Sequence, residues 1–306
     1  MKKAFLILAA FGLALASCSK QEESMNADRA PMDVSPVVTV GTAGDTRAVI
    51  TGTTFPTTRS MVVSADLNSN TGSTGNYFTN LTFTYNSSVW APANTYYWPL
   101  SGGLEILAYS AGSASVTPTW TNATGVSLAC SDCTADDILM GGATNATATS
   151  KSVAFKHCLS QVKVTAKSSV ASVIKIKSVS VNAKKGATLA ISKSSGSAAT
   201  TVATTLTGSA SDVSVLSGGN VTLTTSAQNI GSAILLPAQT PASIKIGYTI
   251  TNNSVESATM YVTKSVTTAL VAGSAYTYAI TATLTGLNVT ATLTDWTDGS
   301  STAVSI

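Results

Sequence analysis

The stretch Tyr77-Phe78-Thr79-Asn80-Leu81-Thr82-Phe83-Thr84-Tyr85 indicates the fold class of this chain. From Asn80 onward, apolar residues alternate with asparagine and threonine, which is the period of a β-strand with one buried face. The same alternation returns at residues 244–250 and 276–284. No segment after Cys18 holds apolar residues at helical spacing over several turns. The sequence therefore predicts an all-β protein.

The composition supports this prediction and excludes one class of partner. Charged residues make up only 10 % of the chain, well below the roughly 25 % of an ordinary soluble protein. Threonine and valine favour strands, whereas glycine and asparagine favour turns, so the composition is typical of a β-rich extracellular protein. The net charge of +3 is small and the lysines are scattered, which gives no electrostatic basis for binding nucleic acid.

Further strands are predicted on both sides of the opening stretch. Residues 37–40 form a short first strand, and after a turn a second strand runs from Arg47 toward Phe55. Arg47 is thereby placed on an exposed link, where proteases cut; a solvated arginine without a role is the alternative. Aromatic residues follow at Trp90 and at residues 96–98, and beside strands they are expected to fill a core.

The length of 306 residues suits two domains. A small, polar stretch near the middle predicts an N-terminal domain over residues 37–168 and a C-terminal domain over residues 169–306. In the second domain, the low-complexity residues 192–211 are expected to form a mobile loop. A turn at Gly286 between two apolar faces predicts a terminal hairpin. The apolar residues of its second strand are Leu287, Val289, Ala291 and Leu293.

No group of residues predicts catalysis, a metal or a cofactor. His157 is the only histidine, and it shares a strand face with Val153 and Phe155, which predicts a core side chain with a hydrogen-bond partner. No nucleophile or zinc-protease motif accompanies it. The acidic residues that could attract calcium are Asp132, Asp136 and Asp137. They lack further oxygen ligands in a recognised order, so a solvated loop is expected instead.

The cysteines other than Cys18 permit two interpretations. In an exported protein Cys130 and Cys133 can form a loop disulfide, which leaves Cys158 free or buried; plain thiols are the alternative. Zinc binding with His157 is not expected, because adjacent strand residues point to opposite faces and cannot easily bind one ion together.

The first 17 residues are typical of a secretory signal peptide. Lys2-Lys3 precede an apolar run at residues 4–16. This run is shorter than the about 20 residues that a helix needs to span a bilayer.

The end of this segment, Leu15-Ala16-Ser17-Cys18, resembles a bacterial lipobox. The resemblance implies cleavage before Cys18 and attachment of lipid such as palmitate to its thiol, with residues 18–36 as a tether. An ordinary signal peptide with a chance cysteine is the alternative. The following Lys20-Gln21-Glu22-Glu23 resembles the signal that sends Bacteroidetes lipoproteins to the outer face of the outer membrane.

Several short segments occur in a particular order along the chain. They are Arg47-Ala48, Tyr77-Phe78 with Asn80, Trp90, Tyr97-Trp98-Pro99 with residues 104–109, and residues 136–140, 153–162, 234–239 and 293–299. No single segment is specific, but their order resembles the Bacteroidetes fimbrillins, which are the subunits and accessory or tip proteins of type V pili. Two features depart from the family: Thr57-Thr58-Arg59-Ser60 stands where Gly-Asp is usual, and Gln161 replaces a lysine.

The resemblance implies two transthyretin-like β-sandwich domains in tandem. It also implies that an arginine-directed protease removes the first strand by cutting between Arg47 and Ala48, although Arg29 and Arg59 are also available to such a protease. A strand of the neighbouring subunit then completes the open sheet edge. The donor-strand candidates are Leu287, Val289, Ala291 and Leu293 of the hairpin and Val304 and Ile306 near the end of the chain.

The expected partners follow from the same resemblance. They are other fimbrial subunits, the outer membrane through the lipid before processing, and a host or bacterial surface glycan or protein. The expected location is the cell surface, as an outer-membrane lipoprotein or within a fimbria. Stalk, tip and anchor subunits share these features, so the position in the fibre stays open.

Two other functions are alternatives to a fimbrial one. A glycan-binding surface lipoprotein of a polysaccharide-uptake system would stack sugar rings on Trp90, Trp98 or Trp120. A hydrolase would need paired carboxylates or a nucleophile with its base, and the sequence offers neither.

Overall fold

The computed structural model describes residues 29–39, 54–68, 75–283, 286–295 and 301–305, with residues 286–289, 291–295 and 301–305 described by their backbone. Within these ranges the chain forms β-strands and no helix, so no helix there is long and apolar enough to cross a membrane. The prediction of an all-β fold is confirmed.

Two sheets are built mainly from the first half of the chain. The strands of the larger one, here called the curled sheet, are β1 (Ser35–Val38), β2 (Met61–Leu67), β3 (Gly75–Asn86), β4 (Val89–Pro92), β5 (Leu104–Ser110), β8 (Leu139–Ala146) and β9 (Ser152–His157). Their order is β1-β9-β8-β5-β2-β3-β4. The strands of the four-stranded sheet are β6 (Val116–Thr121), β7 (Gly125–Cys130), β12 (Gly186–Lys193) and β13 (Thr200–Thr207). Their order is β13-β12-β7-β6.

Two more sheets, here called the C-terminal pair, contain the other strands. The strands of the first are β10 (Ser160–Ser168), β16 (Gln228–Asn229), β17 (Ile234–Leu236), β21 (Ser274–Thr283), β22 (Gly286–Asp295) and β23 (Ser301–Ser305). Their order is β16-β10-β21-β22-β23, with β17 also on β10. The strands of the second are β11 (Ile174–Ala183), β14 (Ser211–Leu216), β15 (Val221–Thr222), β18 (Ser243–Asn252), β19 (Val255–Glu256) and β20 (Met260–Ser265). Their order is β14-β11-β18-β19, with β15 on β11 and β20 on β18.

The sheets enclose three buried apolar cores. One lies inside the curled sheet and includes Phe83, Ile106 and Phe155. The second lies on the other face of β5 and β8, where Leu107 packs with residues of the four-stranded sheet such as Leu128. The third fills the C-terminal pair and is lined by alternating residues of β10, β11, β18 and β21. Both faces of the curled sheet are thus buried near its centre.

Residues 77–85, whose alternation predicted a strand, form part of β3. The strand contains an irregularity that the alternation did not indicate. Phe78 and Phe83 are five residues apart and would face opposite sides of a regular strand, yet both are buried in the core of the curled sheet, with ring centroids 6.2 Å apart. Asn80 has a φ of 59°, and the pairing of β3 with β2 shifts register beside it. The backbone N–H of Asn80 donates to the buried Ser64 Oγ at 3.0 Å, so the bulge keeps its polar groups satisfied.

The prediction of a mobile loop over residues 192–211 is wrong. These residues include most of a regular hairpin, in which β12 and β13 pair from Gly186↔Thr207 to Lys193↔Thr200. Low complexity favours a loop, but this stretch is rich in threonine, which favours strands. The predicted terminal hairpin is confirmed, because β21 and β22 pair up to Thr283↔Gly286.

The strands do not sort into sheets along the predicted boundary between residues 168 and 169. β10 precedes that boundary but pairs in parallel with β21 of the C-terminal pair. β12 follows it but pairs with β7 of the four-stranded sheet. The division into two transthyretin-like domains therefore stays a prediction.

Candidate functional site

Residues 29–39, here called the N-terminal strap, close the curled sheet. β1 within the strap pairs in parallel with β9, from Ser35↔Ser152 to Val38↔Phe155. One residue before β1, Val34 forms a bridge with Trp90 of β4. Without the strap, β9 and β4 would be the two edges of this sheet. The strap therefore fills the seam between them.

The first half of the strap is held by the segment around β4. The Met32 N–H donates to the Tyr96 carbonyl at 2.7 Å, and the Val34 N–H donates to the Trp90 carbonyl at 2.9 Å. In return the Trp98 N–H donates to the Ala30 carbonyl at 3.0 Å. Residues 30–34, which the sequence assigned to the tether, thus form an extended, paired segment.

The second half of the strap is held by β9. The Ser35 N–H donates to the Lys151 carbonyl at 2.9 Å. At the other end, the Phe155 carbonyl accepts from the Thr39 N–H at 2.7 Å and from the Thr39 hydroxyl at 2.9 Å. Lys151 also forms an ion pair with Asp33.

Alternate side chains of the strap enter the core. Met32, Val34 and Val38 are each only 2 % exposed, and Pro36 between them is half-buried. Burying an aliphatic side chain of this size stabilises a fold by about 1.5–3 kcal/mol. Removing the strap would cost several kcal/mol of stabilisation by apolar burial, whereas the free energy of unfolding of a whole protein is only about 5–15 kcal/mol. If the strap leaves, another segment must therefore fill the seam.

Aromatic side chains line the seam beneath the strap. Phe55 lies between its two walls, with its ring centroid 5.0 Å from that of Trp90 on β4 and 4.9 Å from that of Phe155 on β9. Phe55 is itself 3 % exposed. Because Phe55 follows the strap in sequence, it would stay in the seam after the strap had been cut away.

The three arginines of the chain differ in accessibility to a protease. Arg47 and Ala48, the predicted cleavage site, lie outside the described residues. The Arg29 guanidinium, at the start of the strap, donates to the Tyr77 hydroxyl at 2.8 Å and to the Trp98 carbonyl at 3.2 Å. The Arg59 side chain is only 8 % exposed, so a protease cannot take it into a specificity pocket while the protein is folded.

Arg59 instead belongs to a buried polar cluster at the start of β2. Its Nη1 lies 3.0 Å from Asp136 Oδ1, and its Nη2 donates to the Asp137 carbonyl. The other oxygen of Asp136 accepts from the Ser113 N–H at 2.7 Å. The side chain of Arg59 thus ties the turn that departs from the usual family sequence to the loop before β8.

The prediction that His157 is a core residue with a hydrogen-bond partner is confirmed. Its side chain is 2 % exposed, and its Nδ1 lies 2.7 Å from Asp137 Oδ2. The expectation of a solvated loop is wrong for Asp136 and Asp137, which are buried because they pair with Arg59 and His157. It holds for Asp132, which is exposed and accepts from the Thr134 N–H at 2.9 Å in a local turn. No group of three potential metal ligands occurs among the described residues.

The three described cysteines are buried free thiols. Cys133 lies beside Cys130, with its Sγ 4.0 Å from the Cys130 carbonyl, but the two are not bridged. Complete burial raises the pKa of the Cys158 thiol well above its usual value, which makes it a poor nucleophile.

The structure removes two of the three candidate sugar platforms. Trp90 and Trp98 are 6 % and 3 % exposed, which confirms the prediction that they fill a core. They are therefore not available as the stacking surfaces that the alternative, glycan-binding function would use. Trp120 is half-buried, with its ring centroid 5.8 Å from that of Tyr109. Its indole N–H donates to the Asn80 side-chain carbonyl at 3.1 Å. Only Trp120 keeps a partly open face.

The donor-strand candidates lie at the end of the C-terminal pair. The residues Leu287, Val289, Ala291 and Leu293 are opposite Ala282, Ile280, Tyr278 and Tyr276 in the pairing of β22 with β21. On its other side β22 pairs with β23, which contains Val304. Ile306 lies outside the described residues. β23 is therefore the outer strand of this sheet in the described part of the chain.

Comparison with known proteins places this architecture in a family. The family model described as fimbrillin-like matches residues 46–296. A candidate cell adhesion protein from Bacteroides uniformis has a similar structure, with a TM-score of 0.52 and 17 % identity over 87 % of this chain and 99 % of that one. A fimbrial protein from Bacteroides vulgatus gives a TM-score of 0.53 and 15 % identity over 77 % of this chain and 92 % of that one.

No curated protein matches the chain. At identities this low the two structures support the fold alone, whereas the family model covers most of the sequence. The chain therefore belongs to the fimbrillin-like family.

Proposed function

We propose that this chain is a structural and adhesive subunit of a type V pilus, and that it assembles by exchanging its N-terminal strap for a strand of the neighbouring subunit. Membership of the fimbrillin-like family supports a fimbrial role at the cell surface. The observation that carries the exchange is the strap itself, because it is a separate edge segment that supplies alternate side chains to a core. No enzymatic step of the chain is part of the proposal.

The proposed route begins with export as a lipoprotein. Lipid on Cys18 would hold the chain at the outer membrane, and an arginine-directed protease would then cut between Arg47 and Ala48. The positions of the arginines favour this bond. A cut after Arg29 would leave almost all of the strap attached, and Arg59 is buried. A cut after Arg47 separates the whole strap from Phe55, which lines the seam.

A donor strand must reproduce the spacing of the strap. The strap directs positions 32, 34, 36 and 38 toward the core, and β22 offers apolar residues at the same spacing of two, from Leu287 to Leu293. β23 offers Val304, and as the outer strand it can leave its sheet more easily than β22, which has a neighbour on each side. In either case the backbone of the donor would complete the pairing with β9 and β4.

The test is the N-terminus of the protein at the cell surface, determined by mass spectrometry together with migration on unheated gels. The natural chain should begin at Ala48 and form a ladder of heat-labile multimers. Arg47→Ala should keep the lipidated Cys18 and stay monomeric, whereas the matched variant Arg29→Ala should behave as the natural chain does. Ladders from Arg47→Ala with an uncut N-terminus would contradict the proposal.

The two donor candidates can be separated by single charges. Val289→Asp in β22 and Val304→Asp in β23 each place a carboxylate at a position that would have to enter the core of the next subunit. The variant in the true donor should lose the ladder while its N-terminus is still processed to Ala48. Intact ladders from both variants would exclude the C-terminal strands as donors.

A further inference from the structure

The four-stranded sheet has two outer strands that differ in how they resist pairing with another chain. β6 contains Pro118, which lacks an N–H and interrupts the row of donors along an edge. β13 has the sequence Thr-Thr-Val-Ala-Thr-Thr-Leu-Thr, without proline, glycine or charge. Among the described residues, β13 pairs only with β12. The β6 edge, here called the guarded edge, is therefore protected against pairing with another chain, and the β13 edge is not.

Three other outer strands in the described part of the chain carry protecting residues, whereas β23, a donor-strand candidate, does not. β4 ends in Pro92, β14 contains Asp212 and β20 contains Lys264. Natural proteins place proline and charge at such edges to prevent association. Against this background, eight uncharged residues rich in β-branched side chains mark β13 as an edge suited to strand addition.

The side chains of β13 suit a second copy of the same strand. Thr201, Ala203 and Thr205 are exposed on the outer face, whereas Val202 and Leu206 are half-buried on the face toward the curled sheet. If two copies pair antiparallel about Thr204, Val202 of each lies opposite Leu206 of the other, and Ala203 lies opposite Thr205. Apolar side chains then meet on one face and small side chains on the other, with no charge between them.

We propose that β13 is a second assembly site, at which two copies of the chain pair antiparallel about a twofold axis. The pairing joins two four-stranded sheets into one of eight strands, and it is isologous because both copies use the same surface. This contact uses neither the N-terminal strap nor the C-terminal strands. It goes beyond strand exchange along a fibre, since it would connect subunits side by side.

The test uses the uncut chain over residues 19–306, which keeps its strap and so should not exchange strands. Sedimentation equilibrium over a concentration series should show a monomer–dimer equilibrium. Thr205→Lys places two like charges near each other across the twofold axis and should weaken the dimer by about tenfold or more, equivalent to about 1.4 kcal/mol. The matched control is Thr119→Lys on β6, an exposed threonine of the guarded edge, which should leave the dimer unchanged.

A second variant tests the register. Ala203→Glu combined with Thr205→Lys in one chain puts opposite charges face to face in the dimer and should restore association relative to Thr205→Lys alone. The melting temperature of each variant shows whether it is folded. A natural chain that stays monomeric at every concentration, or a dimer weakened equally by Thr119→Lys and Thr205→Lys, would overturn the inference. Failure of Arg47 processing would leave it intact.

Discussion

The strands β1 and β10 occupy matching places in two parts of the molecule, but they are held differently. Each pairs in parallel with a strand much later in its own part, β1 with β9 and β10 with β21. β1 has four residues, and in the described part of the chain its pairing besides β9 is a single bridge from Val37 to Thr54. β10 has nine residues, and its other side pairs with β16 and β17.

The same parallel pairing can therefore hold a strand permanently or hold one that can be replaced. β10 is fixed between strands on both sides and contributes Val162, Val164 and Ala166 to the C-terminal core. The strap that contains β1 contributes a comparable set of side chains, but it lies at a seam, and we propose that the link to the rest of its sheet is cut. The first is a permanent strand, and we infer that the second is replaceable.

The largest expected effect comes from placing a carboxylate in the strap, directly before β1, and in β10. Val34 and Val164 are the same residue type with the same exposure of 2 %. Val164→Asp should unfold the C-terminal pair, because an unpaired buried charge costs much of a total stability of about 5–15 kcal/mol. Val34→Asp should release the strap and leave β2 to β9 folded.

Hydrogen exchange read by mass spectrometry distinguishes these outcomes. Protection should be lost across β10, β11, β18 and β21 in the first variant, and in the second mainly in the strap and along β9 and β4. If Val34→Asp also removes protection from β2 and β5, the strap is an integral strand and the contrast with β10 fails.

A smaller effect is expected from the buried cluster that holds the curled sheet independently of the strap. Asp136→Ala leaves the Arg59 guanidinium buried without its carboxylate, and breaking a buried pair in this way costs about 3–5 kcal/mol. Urea denaturation should show this loss in the strap-free chain as well as in the uncut one. Lys175→Ala removes an ion-pair partner of the exposed Glu256 and is the control, with little expected change. Equal midpoints for the two variants would argue against the cluster.

The smallest expected effect is the loss of folding stability at low pH. Burial opposes ionisation of Glu105, but hydrogen bonds from Lys193 and Thr144 outweigh it and lower the pKa of Glu105 below its usual value. Hydrogen bonds from Lys175 and Lys177 lower the pKa of Glu256 to about 2. A lowered folded-state pKa adds stability above the unfolded-state pKa, and that stability is lost as the pH falls through the folded value.

Both carboxylates should therefore contribute stability at pH 7 that declines below about pH 4.5. The Glu105 side chain is 7 % exposed and that of Glu256 is 33 % exposed, so solvent screens the second more. Glu105→Gln should remove more of the acid dependence of unfolding than Glu256→Gln does. The reverse order in denaturation at pH 7 and pH 3 would contradict this ranking.

Local periodicity in the sequence was enough to predict much of this fold. Alternating residues correctly indicated the strand around Ile246 and the terminal hairpin from Tyr276, because each strand needs only its own pattern to bury one face. The placement of His157 followed from the same rule. The shift at Asn80 could not be predicted, since a single residue with positive φ changes which later residues face the core.

Alternation of apolar residues did not predict which strands share a sheet. The pattern of β10 and β12 shows that they are strands but not that they pair with strands far away in sequence, β21 and β7. The buried half of the strap was missed for another reason. Met32 and Val34 stand on either side of the polar Asp33, but so short a run next to Pro36 does not predict a strand.

The most direct test of the account is to lock β1 in place. Val37 and Ala154 are opposite each other in the pairing of β1 with β9, a separation suited to a disulfide, and the described natural cysteines are buried and unbridged. A chain with Val37→Cys and Ala154→Cys should be cut at Arg47 but keep its strap when oxidised, so that no ladder forms, and reductant should restore the ladder. A ladder of equal strength from the oxidised, locked chain would show that the strap does not have to leave.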